Sequence, residues 1–388
     1  MCGYFLRPAL RDAFLVNFGL MASFRRSACL LVACLALAAC EQPPDARPAD
    51  AGFPWEDASP QPDGSTNLDG GTDTGTPGND AGTDAGGSQL PYSIVVLPDT
   101  QYYSSNFPEY FDAQTAWIVD QHAAGNVAFV LHEGDIVDDD TATQWMRAYH
   151  SLHMLDGVVP YVISAGNHDY CCGGWPTDRS MTMINNYFPV SSFAGRPSFK
   201  GTFETDRIEN SAHLLDIPGG ASQWLVLSLE FGPRNAVLAW ADGLAKQYAD
   251  TPAIVVTHAY LYDDDTRYDH VARPSQQWNP HSYPIGANGG DANDGEEMWQ
   301  KLVLGNSNIK FVLSGHVLNS GVGRLSSTRP DGTVVHQILA NYQNYDRGGD
   351  AYLRVLRFFP EQRSVHVQTF SPSFGSMTDD SNDFTLTY

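Results

Sequence analysis

Five short polar clusters recur along this chain of 388 residues, and each follows an apolar segment with the character of a β-strand. Their Asp, Asn, Gln and His side chains can bind divalent cations through oxygen or imidazole nitrogen atoms. Open α/β sheets place their ligand sites at the carboxyl ends of the strands. Five such clusters in one chain therefore predict a metal centre. In chain order they are Asp99-Thr100-Gln101, Gly134-Asp135, Gly166-Asn167-His168-Asp169, Thr257-His258 and Gly315-His316.

Regular elements must bring these clusters to one edge of the fold. The apolar segments predict strands at residues 93–97, 128–131, 159–163, 253–256 and 309–313. Amphipathic segments that predict helices alternate with them, at residues 107–124, 141–155, 234–248 and 296–303. This alternation indicates an α/β protein. Further strand-like segments follow at residues 321–326, 334–339, 352–358 and 364–369, with Asp331-Gly332 as a hairpin turn, and predict an antiparallel or mixed sheet.

The ordered set D-x-Q, GD, GNHD, H and GH resembles the motifs of the calcineurin-like metallophosphoesterases, over roughly residues 92–370. The D-x-Q opening looks like that of a subgroup of secreted members. The resemblance implies an α/β fold, a four-layer sandwich of two mixed β-sheets flanked by helices, formed by residues 91–388. It also implies hydrolysis of a phosphate mono- or diester by a metal-bound hydroxide, with a histidine as general acid.

The family motifs, matched position by position, imply a role for each polar residue. His168 would protonate the leaving oxygen, and Asp169 would hold His168 in the correct tautomer. We further expect His132 to support the site from behind, and Asn319 is a candidate substitute ligand. The implied metal ligands are Asp99 and Gln101 on the first metal, Asp135 as the bridge, and Asn167, His258 and His316 on the second.

Two positions depart from the common family pattern, and both fall on the first metal. Gln101 stands where most members have His, and Leu318 stands where most have a second His after the GH pair. The first metal therefore keeps only oxygen ligands, which suit Mn, Mg or Ca, whereas imidazoles suit Mn, Fe or Zn. We expect two divalent metal ions, of which the second is bound tightly and the first weakly.

Each of these residues alone has a more ordinary explanation, because Asp after a strand usually caps a helix and a lone His usually forms a hydrogen bond in the core. The ordered set outweighs these explanations. An alternative function is a lipid-anchored surface binding protein on a degenerate phosphoesterase fold. Leu318 and Gln101 are its support, whereas the intact Asn167-His168-Asp169 favours an enzyme.

Residues 1–39 are predicted to be a signal peptide, in which Met21 is a second candidate start that would leave residues 1–20 untranslated. Arg25 and Arg26 precede an apolar segment that is too short for a membrane span, which needs about 20 residues. The sequence Leu37-Ala38-Ala39-Cys40 resembles a bacterial lipobox and implies a lipid on Cys40. We expect an exported protein, anchored to the bacterial cell envelope and facing the periplasm or the exterior. An ordinary signal peptide with a chance cysteine is the alternative.

Residues 41–90 carry ten acidic residues against one Arg and are rich in Pro, Gly, Asp and Thr. Such a composition cannot bury enough apolar surface to fold, so residues 40–90 are predicted to form a disordered tether behind the lipidated cysteine.

The whole chain has a net charge of −23, of which residues 1–40 contribute +3 and the tether −9, leaving −17 on residues 91–388. An acidic body repels nucleic-acid backbones, so we expect no specific nucleic-acid binding. The expected partners are a phosphate-ester substrate and a membrane.

The cysteines exclude a disulfide framework. Of the six, four lie at or before Cys40, and the other two, Cys171 and Cys172, are adjacent and cannot join distant segments. We expect two free thiols in a loop, with a vicinal disulfide as the alternative.

Overall fold

The structure is a computed structural model that describes residues 90–218, 222–287 and 290–388. The predicted signal peptide, the lipidation of Cys40 and the acidic tether lie outside the described residues. No helix within the described residues combines the length and the apolar character that crossing a bilayer requires.

All the strands predicted from the sequence form, most with boundaries shifted by one or two residues. Their apolar residues are almost entirely buried, as continuous hydrophobic strands of α/β proteins are. The strands are β1 Tyr92–Leu97, β2 Val127–His132, β3 Tyr161–Ile163, β4 Phe199–Thr202, β5 Ser211–Asp216, β6 Gln223–Leu229, β7 Ala253–Thr257, β8 Ile309–Ser314, β9 Val322–Thr328, β10 Val334–Ala340, β11 Leu353–Phe359, β12 Ser364–Ser371, β13 Gly375–Ser376 and β14 Asp383–Thr387.

The helices begin at residues that suit helix starts. Pro108 opens α2, where its missing N–H needs no partner, and Thr141 caps α3 by accepting from the N–H of Gln144. Asp294 and Glu297 form a reciprocal capping box at α7. The helices are α1 Gln101–Asn106, α2 Pro108–Ala123, α3 Ala142–His153, α4 Ile184–Tyr187, α5 Ser191–Ala194, α6 Asn235–Gln247 and α7 Gly295–Met298, which continues as a π-helical turn, Trp299–Val303.

Among the described residues, the strands form two mixed sheets of seven strands each. The first has the order β13-β12-β11-β1-β2-β3, with β14 paired to β12, and its parallel part is β1, β2 and β3. The second has the order β4-β5-β6-β7-β8-β10-β9, and its parallel part runs from β6 to β10. β9 and β10 pair antiparallel around the predicted Asp331-Gly332 turn. Two mixed sheets confirm the predicted fold class.

The two faces of each sheet belong to different parts of the core. In β1, Ile94 and Val96 join the cluster between the sheets, whereas Val95 and Leu97 join the cluster that includes the helices. This alternation is the two-residue period of a strand. Across the inter-sheet layer, Trp224 donates its indole N–H to the hydroxyl of Tyr92 at 2.8 Å. With α2 against β2 and α6 against β6, the layers are helix, sheet, sheet and helix.

The five polar clusters occupy the turns directly after β1, β2, β3, β7 and β8. Hydrogen bonds between main-chain groups hold these turns together, as between the N–H of Gly315 and the carbonyl of His258 at 3.0 Å. The first two strands are linked in the same way, by the N–H of Glu133 and the carbonyl of Leu97 at 3.0 Å. The fold therefore presents all five clusters at the carboxyl ends of parallel strands.

Candidate metal centre

Four acceptor atoms from four different turns converge on one point. His258 Nε2 lies 3.1 Å from Asp135 Oδ2, 3.1 Å from Asn167 Oδ1 and 3.0 Å from His316 Nδ1. The ligand atoms of Asp135, His258 and His316 all lie within 4.8 Å of one another, and these side chains are buried. The group could hold a divalent cation, and its members are those predicted to bind the second metal.

Both imidazole rings carry their protons on the side away from this point. His258 Nδ1 contacts the main-chain carbonyl oxygen of Glu133 at 3.0 Å, and His316 Nε2 contacts that of Trp278 at 2.9 Å. Because a carbonyl oxygen only accepts, these nitrogens donate, which leaves the other nitrogen of each ring available to bind a cation. Burial, and then the neighbouring His258, lower the pKa of His316 to about 3, which keeps its ring neutral. Bare nitrogens and oxygens that face one another fit a cation between them.

The predicted ligands of the first metal also lie in surroundings that fit a cation. Burial, and then the charge of Asp135, hold the pKa of Asp99 well above its usual range. Gln101 Oε1 is buried and has no hydrogen-bond partner among the described residues, while its amide nitrogen donates to Asp138 at 3.0 Å. A buried amide oxygen without a partner is unfavourable, and a bound cation would satisfy it.

Two of the candidate ligands have left-handed backbone conformations. Asp135 has a φ of 48° and His316 a φ of 77°. Residues other than glycine are strained there, and such residues cluster at functional sites. The neighbouring glycines allow the turns to touch, because a Cβ on Gly166 would collide with Asp135 and one on Gly315 with Asp99. Gly166 and Gly315 must therefore be glycine for the turns to approach each other this closely.

The structure differs from the prediction at Asp169. Its carboxylate accepts hydrogen bonds from the main-chain N–H groups of Ile136 at 2.8 Å, Val137 at 3.1 Å and Gly166 at 2.8 Å. The turn after β2 leaves buried N–H groups without strand partners, and the Asp169 carboxylate satisfies them. Asp169 therefore ties two strand-end turns together, and the prediction that it orients His168 is wrong.

The residue that orients His168 is Asp138. His168 Nδ1 lies 2.6 Å from the main-chain carbonyl oxygen of Asp138 and 3.5 Å from its carboxylate, so Nδ1 carries a hydrogen. The N–H of His168 donates to Asp135 at 2.8 Å, which places the residue beside the predicted bridging carboxylate. The His168 side chain keeps 26% of its surface exposed and can reach a substrate.

His132 and Asn319, the two residues predicted to support the site, lie in different surroundings. His132 is buried, and its Nδ1 accepts from the N–H of Gly134 at 3.1 Å while its Nε2 contacts Thr100 Oγ1 at 2.9 Å. It thus joins the first two clusters from behind, and its support of the site remains a prediction. Asn319 is exposed, and its amide nitrogen donates to Tyr262 at 3.1 Å and to Asp263 at 3.3 Å. Because its side chain is held by these residues, the structure gives no support to Asn319 as a substitute ligand.

One residue that holds a predicted ligand was missed. Asn341 donates to Asp99 Oδ2 at 2.8 Å, and the N–H of His316 reaches both oxygens of the same carboxylate at 3.2 and 3.1 Å. Asn341 directly follows β10, so it obeys the same strand-end pattern as the five clusters. Extending that pattern to the predicted strand at residues 334–339 would have found it.

The Cys171-Cys172-Gly173-Gly174 segment was also missed as part of the site. The Asn167 amide donates to the carbonyl of Gly174 at 2.9 Å, which turns its oxygen towards His258. A Cβ on Gly174, whose φ is 73°, would collide with the His168 ring. Cys171 and Cys172 form a vicinal disulfide here, so the expectation of free thiols is wrong. Adjacent sulfurs in this tight turn are close enough to bond.

An aromatic wall borders this segment. Trp175 is 49% exposed, and its ring lies 4.6 Å from that of Tyr283, which in turn packs edge-on against Phe231 at 4.9 Å. The Tyr283 ring is also 6.0 Å from that of His316. The wall therefore runs from the neighbourhood of His168 to one of the candidate metal ligands.

Comparison with known proteins gives one curated relative. The uncharacterized protein YvnB of Bacillus subtilis (strain 168) is 32% identical over 288 residues, which make up 72% of this chain. The chain spans only 20% of that protein's length.

Solved structures give looser similarities. The purple acid phosphatase PPD1 from yellow lupin seeds is 13% identical, with a TM-score of 0.45 over 78% of this chain and 54% of that one. A 5'-nucleotidase precursor from Thermus thermophilus is 9% identical, with a TM-score of 0.35 over 77% and 55% of the two chains. Similarity at this level says nothing of the substrate.

The family model of the calcineurin-like phosphoesterases matches residues 92–320, from β1 to the turn after β8. The match covers more than half of the chain and includes all five polar clusters. Members of this family hydrolyse phosphate esters with metal ions, and the buried Asp135, His258 and His316 could hold such an ion. The chain therefore belongs to the calcineurin-like phosphoesterase family.

Proposed function

We propose that the chain hydrolyses an organic phosphate mono- or diester outside the cytoplasm, with His168 as the general acid. Asp135, Asn167, His258 and His316 hold the tighter of two divalent cations in this proposal, and Asp99, Gln101 and Asp135 hold the weaker. The observation that carries it is the convergence of Asp135 Oδ2, Asn167 Oδ1 and His316 Nδ1 on His258 Nε2, each at 3.0 to 3.1 Å.

The chain's own residues prepare the reaction. When bound, the two cations supply positive charge for the phosphoryl oxygens and lower the pKa of a water molecule. Glu133 and Trp278 hold the two imidazoles with their bare nitrogens inward. The main-chain N–H of His168 donates to the Asp135 carboxylate at 2.8 Å, which stabilises its ionised form.

His168 provides the proton for the leaving oxygen. The Asp138 carbonyl keeps a hydrogen on Nδ1, and the Asp138 carboxylate at 3.5 Å stabilises the ring when Nε2 is protonated as well. Nε2 can then donate its proton to the oxygen of the leaving group. Asp138 is thus a positioning residue, and His168 is the residue that contacts the substrate.

The aromatic wall favours an ester with an organic group over a purely inorganic phosphate. The exposed face of Trp175 lies next to Gly174, which packs on the His168 ring. A leaving group that takes its proton from His168 would therefore contact an aromatic ring. Although residues 91–388 carry a net charge of −17, two divalent cations beside two carboxylates leave the centre itself attractive to an anion.

The location rests on the leader sequence alone. Arg25 and Arg26, the apolar segment that follows them and the Leu37-Ala38-Ala39-Cys40 sequence support export and a lipid anchor on Cys40. The acidic residues 41–90 would then separate the catalytic domain from the membrane.

The test is metal-dependent turnover of two esters, one with a nitrophenyl and one with an alkyl leaving group. We expect His168→Ala to lower turnover of the alkyl ester by roughly 10²–10⁴-fold. The loss should be smaller for nitrophenyl phosphate esters, because a nitrophenolate leaves readily without a proton. Initial rates with Mn²⁺ present would measure both effects.

His153→Ala is the matched control, because His153 is also paired with a carboxylate, that of Asp156 at 2.8 Å, but lies on the exposed end of α3. It should leave both rates unchanged. Equal rates for the wild type and His168→Ala on the alkyl ester would refute the acid role. Absence of turnover on every ester, with metals bound, would favour the surface binding protein.

A further inference from the structure

A second group of potential metal ligands lies outside the candidate centre. His270 and His281 come from the long connection between β7 and α7, and Asp294 and Glu297 come from the start of α7. The ligand atoms of all four residues lie within 4.8 Å of one another. None of the four belongs to the polar clusters of the sequence.

Each imidazole in this group is paired with one carboxylate. His270 Nδ1 lies 2.8 Å from Asp294 Oδ2, and His281 Nε2 lies 2.6 Å from Glu297 Oε2. The two rings lie against each other at an interplanar angle of 30°, with centroids 3.7 Å apart. The two hydrogen bonds therefore lie side by side. Each places one proton between an imidazole nitrogen and a carboxylate oxygen. One cation in place of these protons would have two nitrogen and two oxygen ligands.

The carboxylates are held in place before any ion binds. Asp294 is fully buried and accepts from the main-chain N–H groups of His270 at 2.8 Å and Glu297 at 3.1 Å. Asn279 donates to the same carboxylate at 3.2 Å, and Glu297 accepts from the N–H of Asp294 at 3.1 Å. A binding site whose ligands are already fixed loses little conformational entropy when it takes an ion.

The donor set selects the kind of ion. Two neutral imidazoles and two carboxylates suit a divalent transition metal, and Zn²⁺ binds four such ligands tetrahedrally. Calcium and magnesium prefer oxygen ligands only. Two carboxylates also give the four side chains a charge of −2 when the imidazoles are neutral. Lys301 Nζ, 3.4 Å from Glu297 Oε1, offsets part of this charge, and the net negative charge that is left attracts a cation.

We propose that His270, His281, Asp294 and Glu297 form a structural binding site for one Zn²⁺-type ion, separate from the catalytic metals. The site would hold the connection between β7 and α7 to the start of α7. The same connection contains Trp278, whose carbonyl accepts from His316 Nε2. The ion would therefore stabilise the loop that fixes the tautomer of a catalytic metal ligand.

The test is the zinc content of the full chain after equilibrium dialysis against Zn²⁺ and removal of unbound metal. We expect Glu297→Gln and His281→Ala each to contain one zinc ion per chain fewer than the wild type. Glu297→Gln keeps the capping box, because the glutamine oxygen can still accept from Asp294, and near-ultraviolet circular dichroism would verify the fold. Elemental analysis by mass spectrometry gives the count.

His366→Ala is the matched control. His366 is paired with Asp383 at 2.6 Å in the same way, but no second imidazole pair adjoins it among the residues with assigned structure. Its zinc content should equal that of the wild type. A zinc content equal to the wild type in both Glu297→Gln and His281→Ala would overturn the proposal. A loss of two or more ions from Glu297→Gln would overturn it as well, because the site would then not be separate.

Discussion

The side chains of the centre are oriented by hydrogen bonds on the side that faces away from the metal position. Glu133 and Trp278 do this for the two imidazoles, Gly174 for the Asn167 amide, and Asn341 for Asp99. Partners of this kind typically change metal affinity by about 10–100-fold when they are removed. Most of them are main-chain carbonyl groups, so mutation of the partner's side chain would not abolish them.

The proposed weakness of the first metal can be tested, because one substitution should strengthen its binding. Leu318→His introduces an imidazole where most family members have one, and should increase the affinity for the first metal. It should also shift that metal's preference from Mg²⁺ towards Zn²⁺, because imidazole favours transition metals. Calorimetric titration of the metal-free protein would measure both changes.

Asn319→His is the control for this substitution. Its side chain is exposed and lies against Tyr262 and Asp263, so an imidazole there should leave the first metal unchanged. If Leu318→His binds two metals with the wild-type affinities, the unequal sites inferred from Gln101 and Leu318 do not exist.

The turns after β2 and β3 act as one unit because Asp169 joins them. Its carboxylate accepts three main-chain N–H groups, two from the first turn and one from the second. The ligands Asp135 and Asn167 lie in these turns. Their relative position therefore depends on a residue that neither binds the metal nor contacts the reacting atoms.

This role predicts a stability effect for Asp169. Asp169→Ala leaves three buried N–H groups without an acceptor and should lower the free energy of unfolding of the metal-free protein by about 3 kcal/mol. Urea denaturation would measure it. Asp138→Ala is the comparison, because the Asp138 side chain is 29% exposed and should affect turnover far more than stability.

The opposite pattern would restore the original expectation for Asp169. In that case Asp169→Ala would match the wild type in stability and match His168→Ala in its loss of turnover on the alkyl ester.

How far the sequence predicts the structure depends on the range of each interaction. The ligand clusters and their strands follow from local patterns, such as the apolar β1 followed by Asp99 and Gln101. Local patterns do not show whether Asp138 or Asp169 is the partner of His168. Both are acidic residues near His168, and the path of the turn after β2 determines which of them contacts it. The strand β6 was overlooked although five of its residues 224–229 are apolar, whereas β5 contains Ser, His and Asp and gives little signal.

The His270, His281, Asp294 and Glu297 group is the clearest case of a site hidden in the sequence. Its first and last residues are separated by a connection with little regular structure, so no strand or helix period relates them. Only the Asp294 and Glu297 pair, with the spacing of a capping box, is visible as a pattern. That pattern indicates a helix start and gives no hint of a metal.

The whole molecule should lose stability in mild acid. His213 on β5 is 3% exposed, and burial, followed by the charge of Arg196, lowers its pKa from 6.5 to about 3. The unfolded chain then binds a proton that the folded chain does not, between these two pH values. The free energy of unfolding should therefore fall by about 1.4 kcal/mol for each pH unit below 6.5 on account of this residue.

His213→Phe should remove that contribution, because Phe can keep the edge-on contacts with Phe193 and Phe199 and has no proton to bind. Between pH 7 and pH 5, urea denaturation should show a loss of stability that is about 2 kcal/mol smaller than in the wild type. His150→Gln, at an exposed position of α3, is the control and should follow the wild type. An unchanged pH dependence in His213→Phe would show that His213 is already protonated in the folded protein at pH 5.

The centre also has a consequence for the order of folding. Asp99 is held by a residue 217 positions later, His316, and by one 242 positions later, Asn341. Contacts over such distances close late, since the chain must lose the entropy of long loops before they form. A nascent or partly folded chain with β1 to β3 alone would thus lack a working centre. Hydrolysis would begin only when both sheets have assembled, so that an incompletely folded chain would be inert.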